Sequence, residues 1–433
     1  MLPAPALLTR PLPWRHDQEN GFSAKLMTDD IVIAGAGQAG VQAAASLRAE
    51  GFSGRLTMFG EEPFPPYQRP PLSKAYLAGD FEQDRLFLKP ESFFSENRCD
   101  LRLGAKVERI ACEAREVQLA NGDRVPYGKL LLATGARVRR IAAPGAELSG
   151  IHYLRGIEDV DRLRPFLSPG NRLVVVGGGY IGLEVAAVAV KRGLDVTILE
   201  AAGRVMERAV SAPLSKFYYE EHAARGVDIR LGLSVEGFEG HGRVERVITA
   251  QESFAADFVL VGVGVVPNSE MAEEAGLKTN NGIVVDAYTR TSDPNIFAAG
   301  DCTNHPTFLF GRDNGRTRLE SVQNAINQAK HAALAMMDRP KPYREVPWFW
   351  SDQYDLKLQI AGLASPDDTL IVRGDPAARK FAVFHLCEGA PCAVEAVNAA
   401  PEYVVGRKLI ATGKKIEVGK LIDTSVPMKS FVQ

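Results

Sequence analysis

The sequence predicts an α/β protein: two copies of one strand–turn–helix–strand unit, followed by a smaller α+β region. Three observations carry this. At two places an apolar β run breaks into a glycine-rich turn and then a helix. Each copy continues into a further β run that ends beside an acid. The 433 residues also exceed what one hydrophobic core supports, so two or three domains are expected.

In the first copy, residues 31–34 (Ile-Val-Ile-Ala) lead into Gly35-Ala-Gly37-Gln-Ala39-Gly40 and an alanine-rich helix predicted from Val41 to Glu50. In the second, residues 173–176 (Leu-Val-Val-Val) lead into Gly177-Gly-Gly179-Tyr180-Ile181-Gly182 and a helix to Arg192. Gly51 and Gly193 follow the two helices, the position where a helix favours glycine. β runs at 55–59 and 196–199 come next, with Glu61 and Glu200 at their ends. Each residue type has a physical reason. The first glycine permits the tight turn out of the strand, the second lets a pyrophosphate reach the backbone, and the third lets helix and strand pack closely. The phosphates then lie on the positive, unpaired N–H end of the helix. Glu61 lies 21 residues after Gly40 and Glu200 lies 18 after Gly182, close to the spacing of a carboxylate that bonds ribose hydroxyls. The two units are therefore Rossmann-like, and the chain is expected to bind two dinucleotides. A carboxylate at Glu200 accepts from a free 2′-hydroxyl and repels a 2′-phosphate, which favours NADH over NADPH; nearby Arg204 would soften that preference.

The bulk properties exclude several classes. A formal net charge of −2, with 45% apolar and 24% charged residues, gives no reason to expect a nucleic-acid partner. No apolar run is long enough to span a bilayer. Five scattered cysteines do not read as a disulfide framework, which fits a reducing, cytoplasmic compartment. No His/Cys cluster has metal-ligand spacing, so no metal is expected. Residues 1–27 hold Pro3, Pro5, Pro11 and Pro13 without apolar periodicity. They read as a disordered extension, or as sequence upstream of a true start at Met27, and lie outside the fold.

From Ile31 to about Gln433 the chain resembles the FAD-dependent ferredoxin reductases of the putidaredoxin reductase type. Their relatives include the reductases of aromatic-ring dioxygenases, rubredoxin reductases and apoptosis-inducing factor. The residues that carry this are Glu61-Glu-Pro-Phe-Pro-Pro-Tyr-Gln-Arg69-Pro-Pro-Leu-Ser-Lys74, Ala133-Thr-Gly135, the second glycine cluster through Glu184, and Thr291 through Asp301. Glu320-Ser-Val322-Gln-Asn-Ala and Pro347-Trp348-Phe-Trp350-Ser-Asp-Gln-Tyr agree as well. The resemblance implies a glutathione reductase-like plan: an FAD-binding domain at 28–138 and 265–338, an NAD-binding domain inserted at 139–264, and a C-terminal domain at 339–433. Residues 380–386 and 393–397 read as a hairpin in the last.

By the same resemblance the first glycine cluster, with Ala39, holds FAD, and the second, with Ile181 and Gly264, holds NADH. Glu61 would bond the adenosine ribose. Arg69, Val107 and Arg155 would line the FAD site, and Asp301 would bond the ribityl or pyrophosphate region. Asp301, following a glycine, is also a candidate N-cap of a helix. Val322 and Trp350 would lie beside the isoalloxazine, with core packing as the alternative for Trp350. Lys74 would pair with Glu184 and polarise the flavin, making these two the catalytic candidates. Tyr180 would cover the flavin until NADH binds.

Disulfide reductases of this plan carry a redox cysteine after the first unit, yet residues 41–98 contain none. Cys387 and Cys392 flank the predicted hairpin and read as packing residues; Cys302 reads as a buried apolar one. The resemblance therefore implies a one-electron acceptor, a [2Fe–2S] ferredoxin, and a monomer or weak dimer. An acidic ferredoxin would dock on basic residues: Arg312, Arg316 and Arg318, or Arg407, Lys408, Lys414, Lys415 and Lys420, with Trp348 as an apolar anchor. Three readings stand: ferredoxin–NAD(+) reductase of a cytochrome P450 or ring-hydroxylating dioxygenase system; rubredoxin reductase or NADH oxidase; and a nucleotide-switched redox sensor like apoptosis-inducing factor.

Overall fold

The structure, a computed structural model, describes residues 30–309 and 315–432. The expectations for residues 1–27 and for Arg312 lie outside the described residues.

The repeat read from the glycine clusters is a repeat of whole sheets. The first has the strand order Ile296–Ala298, Lys129–Leu132, Ile31–Ala34, Leu56–Phe59, Cys99–Arg102, all parallel. The second runs Asp228–Leu231, Asp195–Glu200, Arg172–Val176, Phe258–Val261, Ile151–His152, also parallel. In each, the strand that feeds the glycine turn is central, and its run of apolar residues is buried on both faces. Each sheet is accompanied by a three-stranded antiparallel one, at Val107–Ala111, Glu116–Leu119 and Arg124–Pro126, and at Val235–Glu239, Arg246–Thr249 and Ser253–Ala255. The chain crosses between the two sheets through Ala136–Val138 and Val265–Pro267, which pair antiparallel with each other.

The helices after the turns span Gln38–Ala49 and Tyr180–Lys191. The first thus begins three residues before the predicted Val41, because Gly37 in extended conformation is already the N-cap and Gly40 lies inside the helix. Gly51 and Gly193 end them in the left-handed region, with φ of +92° and +81°. The helix Val322–Met336, capped by Ser321 accepting from the Asn324 N–H, lies against Gln38–Ala49. Ala39, Ala43 and Ala44 share a core there with Ala325, Ala329 and Ala332. These small side chains let the two backbones approach closely behind the first glycine turn.

The C-terminal region is a five-stranded antiparallel sheet in the order Trp348–Gln353, Leu356–Gly362, Ala390–Val397, Lys380–Cys387, Thr369–Asp375, backed by helix Ala400–Thr412. The predicted hairpin is its Lys380–Cys387 and Ala390–Val397 pair. One face shares a continuous core with the second nucleotide unit. There helix Ala212–Ala223 is held along its length: Ser211 at its N-cap donates through N–H and Oγ to Glu395, Phe217 meets Phe381 edge-on at 5.0 Å, and His222 bonds Gln353 at 2.9 Å.

Burial lowers the His222 pKa to about 4, with Arg225 adding to the effect and both Gln353 and Glu221 opposing it. An imidazole that titrates at its ordinary 6.5 when unfolded binds more protons in the unfolded chain between those two values. Its contribution is therefore present above pH 6.5 and is lost as pH falls towards about 4. In chemical denaturation, the stability of wild type relative to His222→Gln should fall across that window; a constant difference would mean that His222 is not held neutral.

Candidate active site

The first glycine turn meets the geometric demands set out above. Gly35 has φ +119°, and a Cβ there would sit 2.1 Å from the Ala133 carbonyl oxygen. A Cβ on Gly40 would lie 2.0 Å from the Gly35 oxygen, so this residue serves helix–strand packing. Gly37 has nothing within 4 Å of its Cβ position. The second turn repeats the pattern: Gly177 has φ +104° and a contact of 2.6 Å to Gly262, Gly182 has one of 2.2 Å to Gly177, and Gly179 is open. Neither Gly37 nor Gly179 supplies a side-chain cap, so the first N–H groups of both helices remain available to an anion.

A cavity of ≈ 920 Å³ opens from the first turn and runs to the second unit and the C-terminal sheet. It brings together Gly35, Gly37, Ala39, Glu61, Arg69, Lys74, Val107 and Arg155 from the first half of the chain. Tyr180, Ile181, Glu184, Asp301, Val322 and Trp350 join them from the rest. Gly40, Gly177, Gly179, Gly182, Glu200 and Gly264 do not line it. Gly40 is the packing residue just described, and the second turn lies apart with Glu200 beside it. Glu200 accepts from the Gly178 N–H at 2.7 Å and the Ala202 N–H at 2.8 Å, which fixes its carboxylate against the turn. Arg204 faces its own loop, donating to the carbonyls of Val210 and Glu207 at 2.8 Å each.

Two guanidiniums share the cavity wall. Arg69 donates to Glu62 and to the Arg155 carbonyl, both at 2.6 Å, and Arg155 donates to Asp301 at 3.2 Å. Burial opposes the charge of Arg69, but Tyr67 and Glu62 outweigh it and raise the pKa. Arg155 is pushed down by burial and by Arg69, with Asp301 opposing, and its Nε is buried without a partner. An anion between these groups would relieve that repulsion and use that donor. The helix start envisaged at Asp301 is absent: the chain turns at Gly300 (φ +89°) and enters strand Thr303–Pro306, while Gln328 accepts from the Gly300 N–H at 2.8 Å.

At the other end of the cavity Lys74 Nζ pairs with Glu184 at 2.6 Å. Glu184 is buried and also accepts from Ser73 Oγ at 2.5 Å and Ser351 Oγ at 2.6 Å. Tyr180 packs on Phe349 with ring centroids 4.6 Å apart, and Ile181 is 41% exposed at the lip. Sequence reasoning missed Ser73, Ser351 and Phe349. The alternation Trp348-Phe349-Trp350 is the only local signal, since it sends Phe349 to the opposite face of the strand from the two tryptophans. No cysteine lines the cavity among the described residues. Cys302 is buried, as expected; Cys392 is buried as well, and Cys387 is half-buried.

Residues 29–329 match the pyridine nucleotide-disulphide oxidoreductase family and residues 348–432 the reductase C-terminal family. The chain belongs to the pyridine nucleotide-disulphide oxidoreductase family, in the branch that carries this C-terminal domain. It is similar to rhodocoxin reductase of Rhodococcus erythropolis, 45% identical over 92% of this chain and 93% of that protein. Among solved structures it is similar to the reductase of the covalent putidaredoxin reductase–putidaredoxin complex, with TM-score 0.91, 39% identity and coverage of 94% of this chain and 98% of that one. The ferredoxin reductase for the CYP199A2 system from Rhodopseudomonas palustris gives TM-score 0.89, 40% identity and coverage of 93% and 99%. The chain is thus an oxidoreductase that uses FAD and NAD(H). The open cradle at Gly37, the unpartnered Arg155 donor and the size of the cavity all fit FAD.

A methyl group separates the roles of two glycines. Compared as apoproteins, Gly37→Ala should keep the wild-type melting temperature, yet it should take up far less flavin per protein, because the new Cβ fills only the cradle. Gly35→Ala should lose both, since its Cβ meets Ala133. Full flavin content in Gly37→Ala would contradict the assignment of the cradle.

Proposed function

We propose that the chain is an NADH:ferredoxin oxidoreductase that passes single electrons to a [2Fe–2S] ferredoxin serving a cytochrome P450 or ring-hydroxylating dioxygenase. One observation carries the reading: a single cavity runs from the first glycine turn to Lys74 paired with the buried Glu184 and to aromatic walls, with no thiol among the described residues that line it. The names of the relatives support the partner, and no other reading gains from a feature of the site.

When bound, FAD supplies the step from a two-electron hydride to single electrons. The chain's own residues position and polarise. The N–H groups after Gly37, with Arg69, Arg155 and Asp301, would hold the pyrophosphate and ribityl, and Glu61, 3.1 Å from Lys106, would bond the adenosine ribose. Val107 would line the site, and Val322 and Trp350 would lie beside the isoalloxazine. Lys74 holds a positive charge at the cavity wall, which favours an anionic reduced cofactor. Tyr180 closes the face that nicotinamide must reach. Gly177, Gly179, Gly182 and Gly264 shape the NADH site, and Glu200, with Arg204 turned away, supports NADH over NADPH. In this reading residues 28–138 and 265–338 form the FAD domain, 139–264 the NAD domain and 339–433 the C-terminal domain. Among the described residues no helix is long and apolar enough to cross a membrane. We propose a cytoplasmic location and a monomer or weak dimer.

The docking face narrows. Arg316 is spent on the carbonyls of Val285 and Asn304, and Arg318 on Glu320. Lys420 pairs with Glu417 at 2.7 Å, and Lys414 donates to the Phe431 carbonyl. Arg407 lies 6.0 Å from the ring of Trp348, which in turn is 5.6 Å from Trp350 at the cavity. An acidic partner at Arg407, Lys408 and Trp348 would therefore sit one aromatic ring from the cofactor.

Lys74→Met should slow flavin reduction by NADH roughly tenfold or more in stopped-flow; an unchanged rate would remove Lys74 from the mechanism. Reduction of an acidic [2Fe–2S] ferredoxin should slow severalfold on raising salt to about 0.5 M. Insensitivity to salt would rule out electrostatic docking, and reoxidation faster by oxygen than by ferredoxin would favour an oxidase.

A further inference from the structure

The carboxylate of Glu184 divides its oxygens. Oε2 receives Ser73 and Lys74, and Oε1 receives Ser351. Ser351 is fully buried, and the interactions behind it continue away from the cavity. Its Oγ accepts from Gln353 Nε2 at 3.2 Å, and Gln353 Oε1 faces His222 Nε2 at 2.9 Å. His222 Nδ1 faces the hydroxyl of Tyr354, also at 2.9 Å. Tyr354 lies under the Arg225 guanidinium, 4.3 Å from its ring centroid, near the surface.

The inventory of donors fixes the direction of this chain. Gln353 Oε1 can only accept, so His222 Nε2 carries the hydrogen and Nδ1 accepts from Tyr354. Gln353 must then donate through its NH₂ to Ser351. With one lone pair of Ser351 so occupied, its single hydroxyl hydrogen is left for Glu184. Every bond points toward a group that, when ionised, only accepts. A chain that ran the other way would need Glu184 to donate, and Lys74 would face no negative charge.

We propose that Ser351, Gln353 and His222 form a positioning chain that holds one oxygen of Glu184 away from Lys74, and so sets how much of the lysine's charge reaches the cavity. Without the Ser351 donor, Oε1 is a buried oxygen that has lost its hydrogen bond, and the ammonium already bonded to Oε2 is a donor it can turn to. The carboxylate then takes both oxygens to Lys74 and draws its charge from the cofactor. Ser351 and Gln353 stand two apart on strand Trp348–Gln353, on one face of it. The C-terminal domain thereby acts on the redox centre through hydrogen bonds, separately from its tryptophans. This inference rests on Lys74 being the charge beside FAD.

The test uses FAD-loaded wild type, Ser351→Ala, Ser351→Thr and Gln353→Leu. The potential of the two-electron couple is measured by equilibration with a reference dye, alongside KM for NADH. Ser351→Ala should shift the reduction equilibrium about tenfold toward the oxidised form, a potential about 30 mV more negative. Gln353→Leu keeps the hydroxyl but frees it to turn, and should move the potential the same way by less. Ser351→Thr should restore the wild-type value, and KM should not change. If Ser351→Ala does not retain FAD, Gln353→Leu decides alone. A wild-type potential in the folded variants overturns the chain. Should Lys74→Met itself leave flavin reduction untouched, the functional reading fails first; a slow Lys74→Met beside an unmoved Ser351→Ala rejects the chain only.

Discussion

The arrangement depends on one buried carboxylate. Glu184 has 2% of its side chain exposed, and a charge so placed is tolerated only when its lone pairs are filled. Its partners come from two parts of the chain, Ser73 and Lys74 from the first nucleotide unit and Ser351 from the C-terminal sheet, while the helix Tyr180–Lys191 carries it from the second. Removing the Ser351 hydroxyl takes the donor from Oε1, and a buried acceptor left unpaired typically costs about 1–3 kcal/mol. The three units therefore have a shared reason to stay assembled at the cavity, beyond the apolar contact between them.

The two nucleotide units use the same turn to different ends. In both, the first and third glycines are set by backbone carbonyls within 3 Å, and the middle one is left open. The surroundings differ. The first turn opens into the large cavity and faces a guanidinium pair held close together despite repulsion. The glycines of the second lie outside it, with Glu200 bonded across their loop, while Tyr180 and Ile181 of that cluster reach the cavity. A site that retains its cofactor and a site through which a substrate passes can thus arise from one folding pattern.

Much of this was legible in the sequence, for a local reason. The turns, helix ends and flanking strands are determined by residues within about 30 positions, where glycine, alanine and acid spacing carries meaning. Lys74 and Glu184 were found because each sits in a motif. Ser73 and Ser351 were not, since they reach Glu184 across 111 and 167 residues and a serine has no periodicity to betray it. The N-cap alternative for Asp301 failed for a related reason: Gly-Asp is a common helix start, but here Gln328, from a distant helix, takes the Gly300 N–H and the chain continues as a strand. Arg316 and Arg318 looked available only because the carbonyls and carboxylate that occupy them cannot be seen in the sequence.

The grip of the C-terminal sheet on helix Ala212–Ala223 has a mechanical consequence. That helix is fastened at its start by Glu395, in its middle by Phe381 and at its end by Gln353. The second nucleotide unit and the C-terminal sheet are therefore packed as one body. By contrast, Ala136–Val138 and Val265–Pro267 carry the chain between the first unit and the second, and residues 337–347 carry it from the first unit into the C-terminal sheet. A door with its leaf on one side and its frame on the other needs its hinge there. Any widening of the cavity to admit nicotinamide would swing Tyr180, Phe349 and Trp350 together and leave their mutual packing intact.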